Sequence, residues 1–244
     1  MQENIRVSVA MATYNGEKFI KEQLESVLAN LGPSDEVVIS DDGSADSTKA
    51  IVSAFNDSRI RLLEGPGKGI KKNFENAIKA CLGKYIFLCD QDDIWEKEKV
   101  NIVLAAFEKY ECPVVVHDCI VTDSEGKVLE DSFFRFKKSG AGVLKNIIKN
   151  TYIGCCMAFD SDILKKIILP IPDNIVMHDQ WIGVFGDYFG GSVFISDKLI
   201  KYRRHGENSS EIDRHFGFAT MVRNRIRFIK ELSKRRKLIN RQTI

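Results

Sequence analysis

A short apolar stretch that ends in a cluster of acids restricts the fold of this chain more than any other feature. Residues 85–89 form an almost unbroken apolar run just after Gly83, which is typical of a strand buried on both faces of a parallel sheet. Asp90, Asp92 and Asp93 follow this run directly. Carboxylates this close repel one another by roughly a few kcal/mol unless a cation lies between them. The pattern therefore predicts a site for Mg²⁺ or Mn²⁺, which prefer oxygen ligands and usually also bind phosphate.

The same acids have a simpler interpretation. Asp93 could cap a helix that begins near Trp95, with Asp90 and Asp92 on a solvated loop. A single Asp-x-Asp motif does not separate the two interpretations, so the rest of the chain has to decide.

Four successive units of strand, polar loop and amphipathic helix occupy the first half of the chain. The strands are expected at 5–12, 36–40, 59–63 and 85–89. Such alternation predicts parallel strands joined by right-handed crossovers, with ligands bound beyond the carboxyl ends of the strands. Each polar loop lies at that end.

The pattern changes after Tyr110. Strands are expected at 113–122 and 153–159, and a final pair of short strands at 193–196 and 200–203. One helix is expected at 143–149, and a second is expected to be capped by Asp160 and to end at Ile168. A third helix is expected to begin with the segment 177–181. The region 132–150 has little pattern, and we expect an inserted specificity loop and the acceptor contacts there.

Bulk composition is that of an ordinary globular protein. A length of 244 residues fits one large α/β domain, and a net charge of +2 excludes a general polyelectrolyte role. No apolar run approaches the ~18 residues that span a bilayer, and the N-terminus lacks a signal-peptide pattern, so we expect a cytoplasmic protein. The six cysteines have no Cys-x-x-Cys spacing, which favours buried thiols over zinc ligands or disulfides.

The C-terminal segment 211–244 has a different composition. From Met221 onward nine lysines and arginines accompany the single acid Glu231, with apolar residues interspersed. This pattern predicts a basic amphipathic helix that an anionic inner leaflet would attract. A solvated helix, or one that packs on a second copy of the chain, fits nearly as well. Nucleic acid is not an expected partner because no reader motif is present.

Five short motifs follow one another on this frame. They are Thr13-Tyr14-Asn15, Asp41-Asp42-Gly43-Ser44, Asp90-Gln91-Asp92-Asp93, His178-Asp179-Gln180-Trp181 and Tyr202-Arg203-Arg204-His205. Their order and spacing resemble those of the family 2 inverting glycosyltransferases, most of all the bacterial rhamnosyltransferase-like enzymes of surface polysaccharide synthesis. The resemblance covers about residues 5–208.

The resemblance implies an α/β fold of the glycosyltransferase A (GT-A) type, with a mostly parallel central sheet and a small antiparallel part in the C-terminal half. Residues 1–210 would form this domain, divided into a nucleotide-binding half (1–110) and an acceptor-binding half (111–210). The implied reaction is metal-dependent, inverting transfer of a sugar from a UDP- or dTDP-sugar donor to a glycan or lipid-linked acceptor.

The resemblance also implies roles for individual residues on the donor side. Asp92 would bind Mn²⁺ or Mg²⁺ directly, with Asp90 near the ribose or the waters of the metal. His205 would be a further ligand, and its imidazole would favour Mn²⁺. Asp41 would accept the imide N–H of the uracil or thymine base. The remaining residues expected around the nucleotide are Thr13, Tyr14, Asn15, Lys68 and Asn73.

On the acceptor side, Asp179 would be the base that takes the proton of the acceptor hydroxyl. Its alternative role is that of a helix N-cap only. Trp181 would offer a flat face to a sugar, Gln180 would also contact the acceptor, and His178 would contact it and tune or share the proton transfer. His117 and His215 are expected to be structural or exposed.

Two other functional classes fit parts of the sequence. A sugar-nucleotide pyrophosphorylase would share the alternating fold and the metal-binding acids, but its first loop should be rich in glycine and arginine, unlike the loop 13–16. A catalytically silent nucleotide-binding module would share all five motifs.

Overall fold

The computed structural model of the chain describes residues 5–205 and 217–242. Its first half contains four strands that alternate with helices, as the apolar runs and amphipathic segments predict. The elements are β1 (Val7–Thr13), α1 (Ile20–Leu28), β2 (Glu36–Asp41), α2 (Thr48–Ala54), β3 (Ile60–Glu64), α3 (Ile70–Ala80) and β4 (Tyr85–Cys89).

The second half is less regular and has shorter elements. They are β5 (Ile94–Trp95), α4 (Lys99–Tyr110), β6 (Val114–Asp123), β7 (Val128–Glu130), α5 (Phe133–Lys137), α6 (Val143–Ile148), a 3₁₀ turn (Gly154–Cys156), β8 (Met157–Asp160), α7 (Ser161–Ile168), α8 (His178–Phe189), β9 (Ser192–Arg204) and α9 (Phe218–Gln242).

One mixed sheet joins the two halves. Its strand order is β3-β2-β1-β4-β8-β6-β9-β5, and β7 pairs with β6 at the side. The strands β3, β2, β1 and β4 are mutually parallel, whereas β8 is antiparallel to both β4 and β6. The predicted fold class, a mostly parallel sheet with helices and an antiparallel part in the C-terminal half, is confirmed. The carboxyl ends of β1, β2 and β4 meet at one edge.

Three predicted elements differ from the structure. The expected pair of short strands after 192 is one strand, β9, which continues through Asp197 and Lys198 with a register shift against β6. The expected strand 153–159 begins as a 3₁₀ turn and becomes extended only at Met157. Trp95 lies in a short strand paired with β9, so no helix begins there, and Asp93 does not cap α4.

Buried thiols, a helix cap and the packing of the C-terminal helix are further features of the fold. All six cysteines are buried free thiols, as predicted. Asp160 caps α7 by accepting hydrogen bonds from the backbone of Asp162 and Ile163. The basic helix α9 packs against the domain through Phe228 and Leu232, which are buried. Within residues 5–205 and 217–242, no helix is both long and apolar enough to cross a bilayer.

Candidate active site

A cleft of about 480 Å³ opens at the carboxyl ends of β1, β2 and β4. It lies where the alternating pattern predicts a ligand site. Seven of the predicted site residues line it: Thr13, Tyr14, Asn73, Asp90, Asp92, His178 and Asp179. The other predicted residues lie outside its lining, and they are Asn15, Asp41, Lys68, Gln180, Trp181 and His205.

Asp41, the predicted partner of the base, is fully buried and already fully engaged. Its Oδ2 accepts hydrogen bonds from the hydroxyls of Thr13 at 2.8 Å and Ser44 at 2.6 Å, and its Oδ1 accepts one from the Ser44 backbone N–H. A buried carboxylate held by three donors ties two loops together and leaves no exposed oxygen for a ligand. Asp41 does not line the cleft, and its contact with a nucleotide base stays a prediction.

The neighbouring Asp42 lines the cleft instead. Its carboxylate accepts hydrogen bonds from the backbone N–H groups of Gly67, Lys68 and Gly69, the last at 2.7 Å from Oδ2. A carboxylate has about four acceptor positions, so one remains open toward the cleft. Successive side chains of a strand point to opposite faces, so only one member of the Asp41-Asp42 pair can face the cleft, and that member is Asp42.

The first loop is held in shape by its own neighbours. Gln91 bonds both backbone groups of Tyr14, accepting from its N–H at 2.9 Å and donating to its carbonyl at 3.0 Å. This approach needs Gly16, since a Cβ there would lie 2.4 Å from Oε1 of Gln91. The side chain of Tyr14 is left exposed in the cleft. Gln91 was not a predicted site residue, and its position between the acids is its only signal in the sequence.

Asn15 and Lys68 do not reach the nucleotide site with their side chains. The amide oxygen of Asn15 accepts a hydrogen bond from the Ala45 backbone N–H, so Asn15 fixes the second loop. Lys68 is exposed and borders a separate surface depression. Neither side chain lines the cleft, and the two nucleotide contacts stay predictions.

Asn73 is buried at the cleft wall. Its side-chain nitrogen donates to the carbonyl of Thr13 at 3.1 Å, whereas its amide oxygen has no hydrogen-bond partner. A buried acceptor without a donor costs about 1–3 kcal/mol, so this oxygen is suited to an N–H or O–H group of a ligand.

The acids after β4 occupy different environments. Asp90 and Asp92 line the cleft, and burial, then the charge of Asp92, then that of Asp179, raise the pKa of Asp90 to about 7. Asp93 lies deeper, where one oxygen accepts the backbone N–H of Arg203 at 3.0 Å and the other has no partner. Burial also raises the pKa of Asp93 well above its ordinary value. Asp93 therefore joins the acidic loop to β9.

His205 reaches the acids from the end of β9. Its Nε2 lies 2.8 Å from Oδ2 of Asp92, and its ring stacks on Phe19 with centroids 4.7 Å apart. The guanidinium of Arg203, two residues earlier, lies over the same Phe19 ring, 4.8 Å from its centroid. It also forms an ion pair with Glu22 at 2.7 Å. The predicted meeting of His205 with Asp92 is therefore present in the geometry.

The residues at this point fit a hard divalent cation. Ligand atoms of Asp90, Asp93 and Cys155 lie within 4.8 Å of one another, next to the Asp92–His205 pair. Burial raises the pKa of the Cys155 thiol well above its ordinary value, which disfavours the thiolate that zinc would need. Carboxylate oxygens and an imidazole suit Mn²⁺ or Mg²⁺ better.

Asp179 faces the acids from the first turn of α8. The N-cap of α8 is Met177 and Asp179 is the second helical residue, so the alternative role of a simple cap is wrong. Oδ1 of Asp179 accepts the backbone N–H of Gln180 and the side-chain amide of Asn150 at 3.3 Å. The helix N-terminus favours the ionised form of this carboxylate by about 0.3–1 kcal/mol.

His178 is buried in the cleft wall and stacks on Phe74, with centroids 4.1 Å apart. Neither ring nitrogen has a hydrogen-bond partner. Burial, with a smaller contribution from Lys71, lowers the pKa of His178 to about 3. The ring is therefore neutral at physiological pH and offers one donor and one acceptor.

Trp181 and Gln180 face away from the cleft. Trp181 is fully buried between Phe185 and Phe228, and its Nε1 donates to the carbonyl of Ile168 at 2.9 Å. Gln180 donates to the carbonyl of Asn146 and joins α8 to α6. The predicted sugar platform at Trp181 is wrong because α9 covers that side of α8, and Gln180 does not line the site.

His117 is buried, and its Nδ1 lies 2.7 Å from the Asp118 carbonyl, in agreement with a structural role. The predictions for His215 and for the end of the resemblance at 208 lie outside the described residues.

Comparison with known proteins finds relatives among bacterial glycosyltransferases. The dTDP-rhamnosyl transferase RfbG of Shigella flexneri is 31% identical over 220 residues, which are 81% of this chain and 72% of RfbG. The UDP-Glc:alpha-D-GlcNAc-diphosphoundecaprenol beta-1,3-glucosyltransferase WfgD of Escherichia coli is 28% identical over 206 residues, 81% of this chain and 76% of WfgD.

The fold is shared with S. aureus TarS, solved in complex with UDP-GlcNAc. The TM-score is 0.72 at 22% identity, and the match covers 92% of this chain and 66% of the TarS chain, slightly under two thirds. The chain thus spans only part of the length of the proteins it matches.

The model of the family described as Glycosyl transferase family 2 matches residues 8–168, which include the first three of the five motifs and the floor of the cleft. This chain belongs to glycosyltransferase family 2.

Proposed function

We propose that this protein transfers a hexosyl or deoxyhexosyl group from a UDP- or dTDP-sugar to a hydroxyl of a glycan or lipid-linked acceptor in the synthesis of cell-surface polysaccharide, with inversion at the anomeric carbon. The observation that carries the proposal is the placement of Asp179 opposite Asp90 and Asp92 in one cleft. Family membership supports sugar transfer in general, and the names of RfbG and WfgD, with the ligand of TarS, support the donor class.

The donor nucleotide would lie against the first two loops. Tyr14 offers an exposed ring to a base, and Asp42 has one open acceptor position for its imide N–H. The unpartnered amide oxygen of Asn73 would accept a hydroxyl or N–H of the same nucleotide. Thr13 would act indirectly by holding Asp41 and so fixing the position of Asp42.

The diphosphate would lie over the acids. Asp92 and His205 would hold Mn²⁺ or Mg²⁺, with Asp90 beside them. A bound divalent ion stabilises the negative charge that develops on the departing diphosphate. It would also keep Asp90 ionised, since the high pKa of that carboxyl results from burial and neighbouring negative charges.

Asp179 would be the general base. In a single displacement the acceptor oxygen bonds to the anomeric carbon as its proton passes to Asp179, and the sugar–phosphate bond breaks with its electron pair going to the diphosphate oxygen. Asn150 and the Gln180 backbone N–H fix one oxygen of Asp179. These bonds hold the carboxylate in a fixed orientation in the cleft, from which it would take the proton.

His178 would bind a sugar hydroxyl. Among the residues that the structure describes, its two buried nitrogens have no hydrogen-bond partner, and a hydroxyl can both donate to one and accept from the other. The low pKa of the ring argues against a share in the proton transfer, so hydrogen bonding is the role that fits.

A lipid-linked acceptor would place the enzyme on the inner face of the plasma membrane as a peripheral protein. The name of WfgD specifies a diphosphoundecaprenol-linked acceptor for that relative. The same acceptor class for this chain is part of the proposal.

Titration calorimetry of UDP and dTDP, with and without Mn²⁺, tests the proposal directly. We expect binding that depends on the metal and that disappears in Asp92→Ala, followed by hydrolysis of a matching nucleotide sugar detected by mass spectrometry. The exposed Asp162→Asn is the matched control and should bind like the wild type. Absence of nucleotide binding to the wild type in the presence of Mn²⁺ would contradict the proposed function.

A further inference from the structure

The outer side of α9 carries a continuous line of positive charge. Five exposed cations are spaced alternately four and three residues apart, which places them on one helical face: Arg223, Arg227, Lys230, Lys234 and Lys237. At 1.5 Å per residue this line is about 21 Å long. We refer to these five residues as the cationic stripe.

The stripe is poorly neutralised by the protein. Glu231 is the one acid in the sequence of α9, and it binds Lys234 at 2.7 Å. For the other four cations, the described part of the chain contains no ion pair with a carboxylate. A stripe of one sign therefore attracts an extended anionic partner.

Exposed apolar side chains accompany the stripe on two neighbouring helices. On α9, Ile226 and Ile229 are about half exposed. On α6, Leu144 is 76% and Ile148 is 61% exposed, four residues apart and hence on one face. The two helices are in contact, because the guanidinium of Arg225 donates to the carbonyl of Ile148 at 2.6 Å. Exposed lysines at 145 and 149 add charge to the same helix.

We propose that α6 and α9 together form a face that binds the surface of a bilayer containing anionic lipids. The cationic stripe contacts the headgroups, and Leu144 and Ile148 enter the boundary of the acyl chains with Ile226 and Ile229. Charge together with large exposed apolar groups is the combination that interfacial helices use. The line of cations lies on α9 and the most exposed apolar side chains lie on α6, so the proposed face requires both helices.

The face is connected to the active site. Asn146 of α6 accepts a hydrogen bond from Gln180 at 2.7 Å, and Asn150, just after α6, donates to Asp179. These hydrogen bonds join the helix that would contact the bilayer to the residue proposed as the base. A lipid-linked acceptor would be concentrated at the same membrane surface as the enzyme. This second step rests on the proposed function, whereas binding of the bilayer does not.

Lipid fits the face better than two other occupants. A second copy of the chain bound through the same face would bring two cationic stripes together, since a two-fold contact pairs each patch with itself. A nucleic acid would satisfy the charges but would leave Leu144 and Ile148 in water. Only a bilayer surface satisfies both features.

Vesicle sedimentation with the full chain tests the proposal. We expect binding to phosphatidylcholine vesicles that contain phosphatidylglycerol, and little binding to pure phosphatidylcholine. Each cation near an anionic surface contributes roughly a fivefold factor in partitioning, so Arg227→Glu with Lys230→Glu should weaken binding by at least about 20-fold. Leu144→Ser with Ile148→Ser should weaken it while leaving the charge intact.

The matched control reverses two exposed lysines near the N-terminus, through Lys18→Glu with Lys21→Glu. These substitutions make the same change in net charge. We expect this control to keep binding within about twofold. Equal loss in the control, or equal binding of the wild type to both kinds of vesicle, would overturn the proposal, because either result shows that the α6–α9 face is not specific.

Two further measurements separate the remaining outcomes. Light scattering of the wild type and of the charge-reversed variant is expected to give one mass, and a dimer that dissociates in the variant would overturn the proposal in favour of a protein interface. UDP and dTDP calorimetry on the same variants is expected to match the wild type. Vesicle binding without any nucleotide binding would support the face and contradict only the proposed transferase function.

Discussion

The two walls of the cleft differ in how far the protein itself satisfies their polar groups. At the ends of β1 and β2, Asp41 and Asp42 each accept three hydrogen bonds from neighbouring loops. At the acidic loop and the start of α8, Asp90 has a raised pKa and His178 has two unpartnered nitrogens. The protein itself satisfies most polar groups of the first wall, apart from the amide oxygen of Asn73 and one acceptor position of Asp42, whereas the second wall leaves several polar groups open for ligands. Substitutions in the first wall should therefore affect mainly stability, and substitutions in the second should affect mainly activity.

The largest effect is expected for Asp179→Asn. An amide cannot take the proton of the acceptor, so kcat for transfer should fall by about 10²–10⁴-fold while the affinity for nucleotide stays the same. Steady-state transfer assays with calorimetry on the same sample measure both quantities. Unchanged kcat would remove Asp179 as the base, and a parallel loss of nucleotide binding would indicate a structural role instead.

Asp41→Ala should mainly reduce stability. It removes three hydrogen bonds to Thr13 and Ser44 and leaves buried donors without partners, which we expect to lower the free energy of unfolding by about 3 kcal/mol. Urea denaturation measures this change. The paired variant Asp42→Ala should cost less stability and should weaken binding of UDP or dTDP. The reverse result would show that the two carboxylates had been assigned the wrong roles.

His178→Phe should change how stability depends on pH. The unfolded chain protonates this imidazole near its ordinary pKa of about 6.5, whereas the folded protein does not do so until about pH 3. Protons therefore favour the unfolded state, and wild-type stability falls by about 2 kcal/mol between pH 6.5 and pH 5 from this group alone.

Phenylalanine keeps the stacking on Phe74 and cannot titrate, so the variant should lack that part of the fall. His117, whose pKa burial also lowers, contributes equally to both proteins and does not affect the comparison. Parallel urea curves at pH 7 and pH 5 measure the difference. Identical pH dependence of the two proteins would show that the wild-type imidazole is already solvated.

Gly16→Ala should give the smallest effect, about 1 kcal/mol of stability together with a weaker affinity for nucleotide. The added Cβ would displace Gln91, which is a flexible side chain, and would release the backbone of Tyr14. Gly217→Ala is the control, because a Cβ there meets no heavy atom of the described residues within 4 Å. Equal effects of the two substitutions would attribute the loss to glycine in general and not to the contact with Gln91.

The first half of the fold could be predicted from the sequence because one pattern sets both position and environment. Apolar runs such as 85–89 are buried on both faces and end at polar turns. The same pattern therefore locates the ends of the strands and the edge of the sheet at which ligands are expected. In the second half, Asp197 and Lys198 resemble a turn in composition, yet their backbone continues β9, where Lys198 pairs with Asp118 of β6 after a register shift. That pairing is not visible in the local sequence.

The site was predictable at the level of loops and less so for individual side chains. The motifs pointed to the loops around Thr13, Asp42, Asp92 and Asp179, and these residues line one cleft. Which of two adjacent acids faces the cleft depends on the pleat at the end of β2, and the orientation of Trp181 depends on the packing of α9 against α8. Both orientations depend on tertiary contacts, which the local sequence does not show. Composition favoured an aromatic sugar platform, but the hydrophobic contact with Phe228 is what Trp181 actually makes.

The long strand β9 has a mechanical consequence. It is fixed near its end by the bond from Arg203 to Asp93 and by pairing with the short β5, and the next residue but one is His205. A one-residue slip of a strand turns every side chain to the opposite face. Inserting or deleting a single residue between Leu199 and Arg203 would thus rotate the imidazole away from Asp92, even though none of the inserted or deleted positions contributes a side chain to that pair.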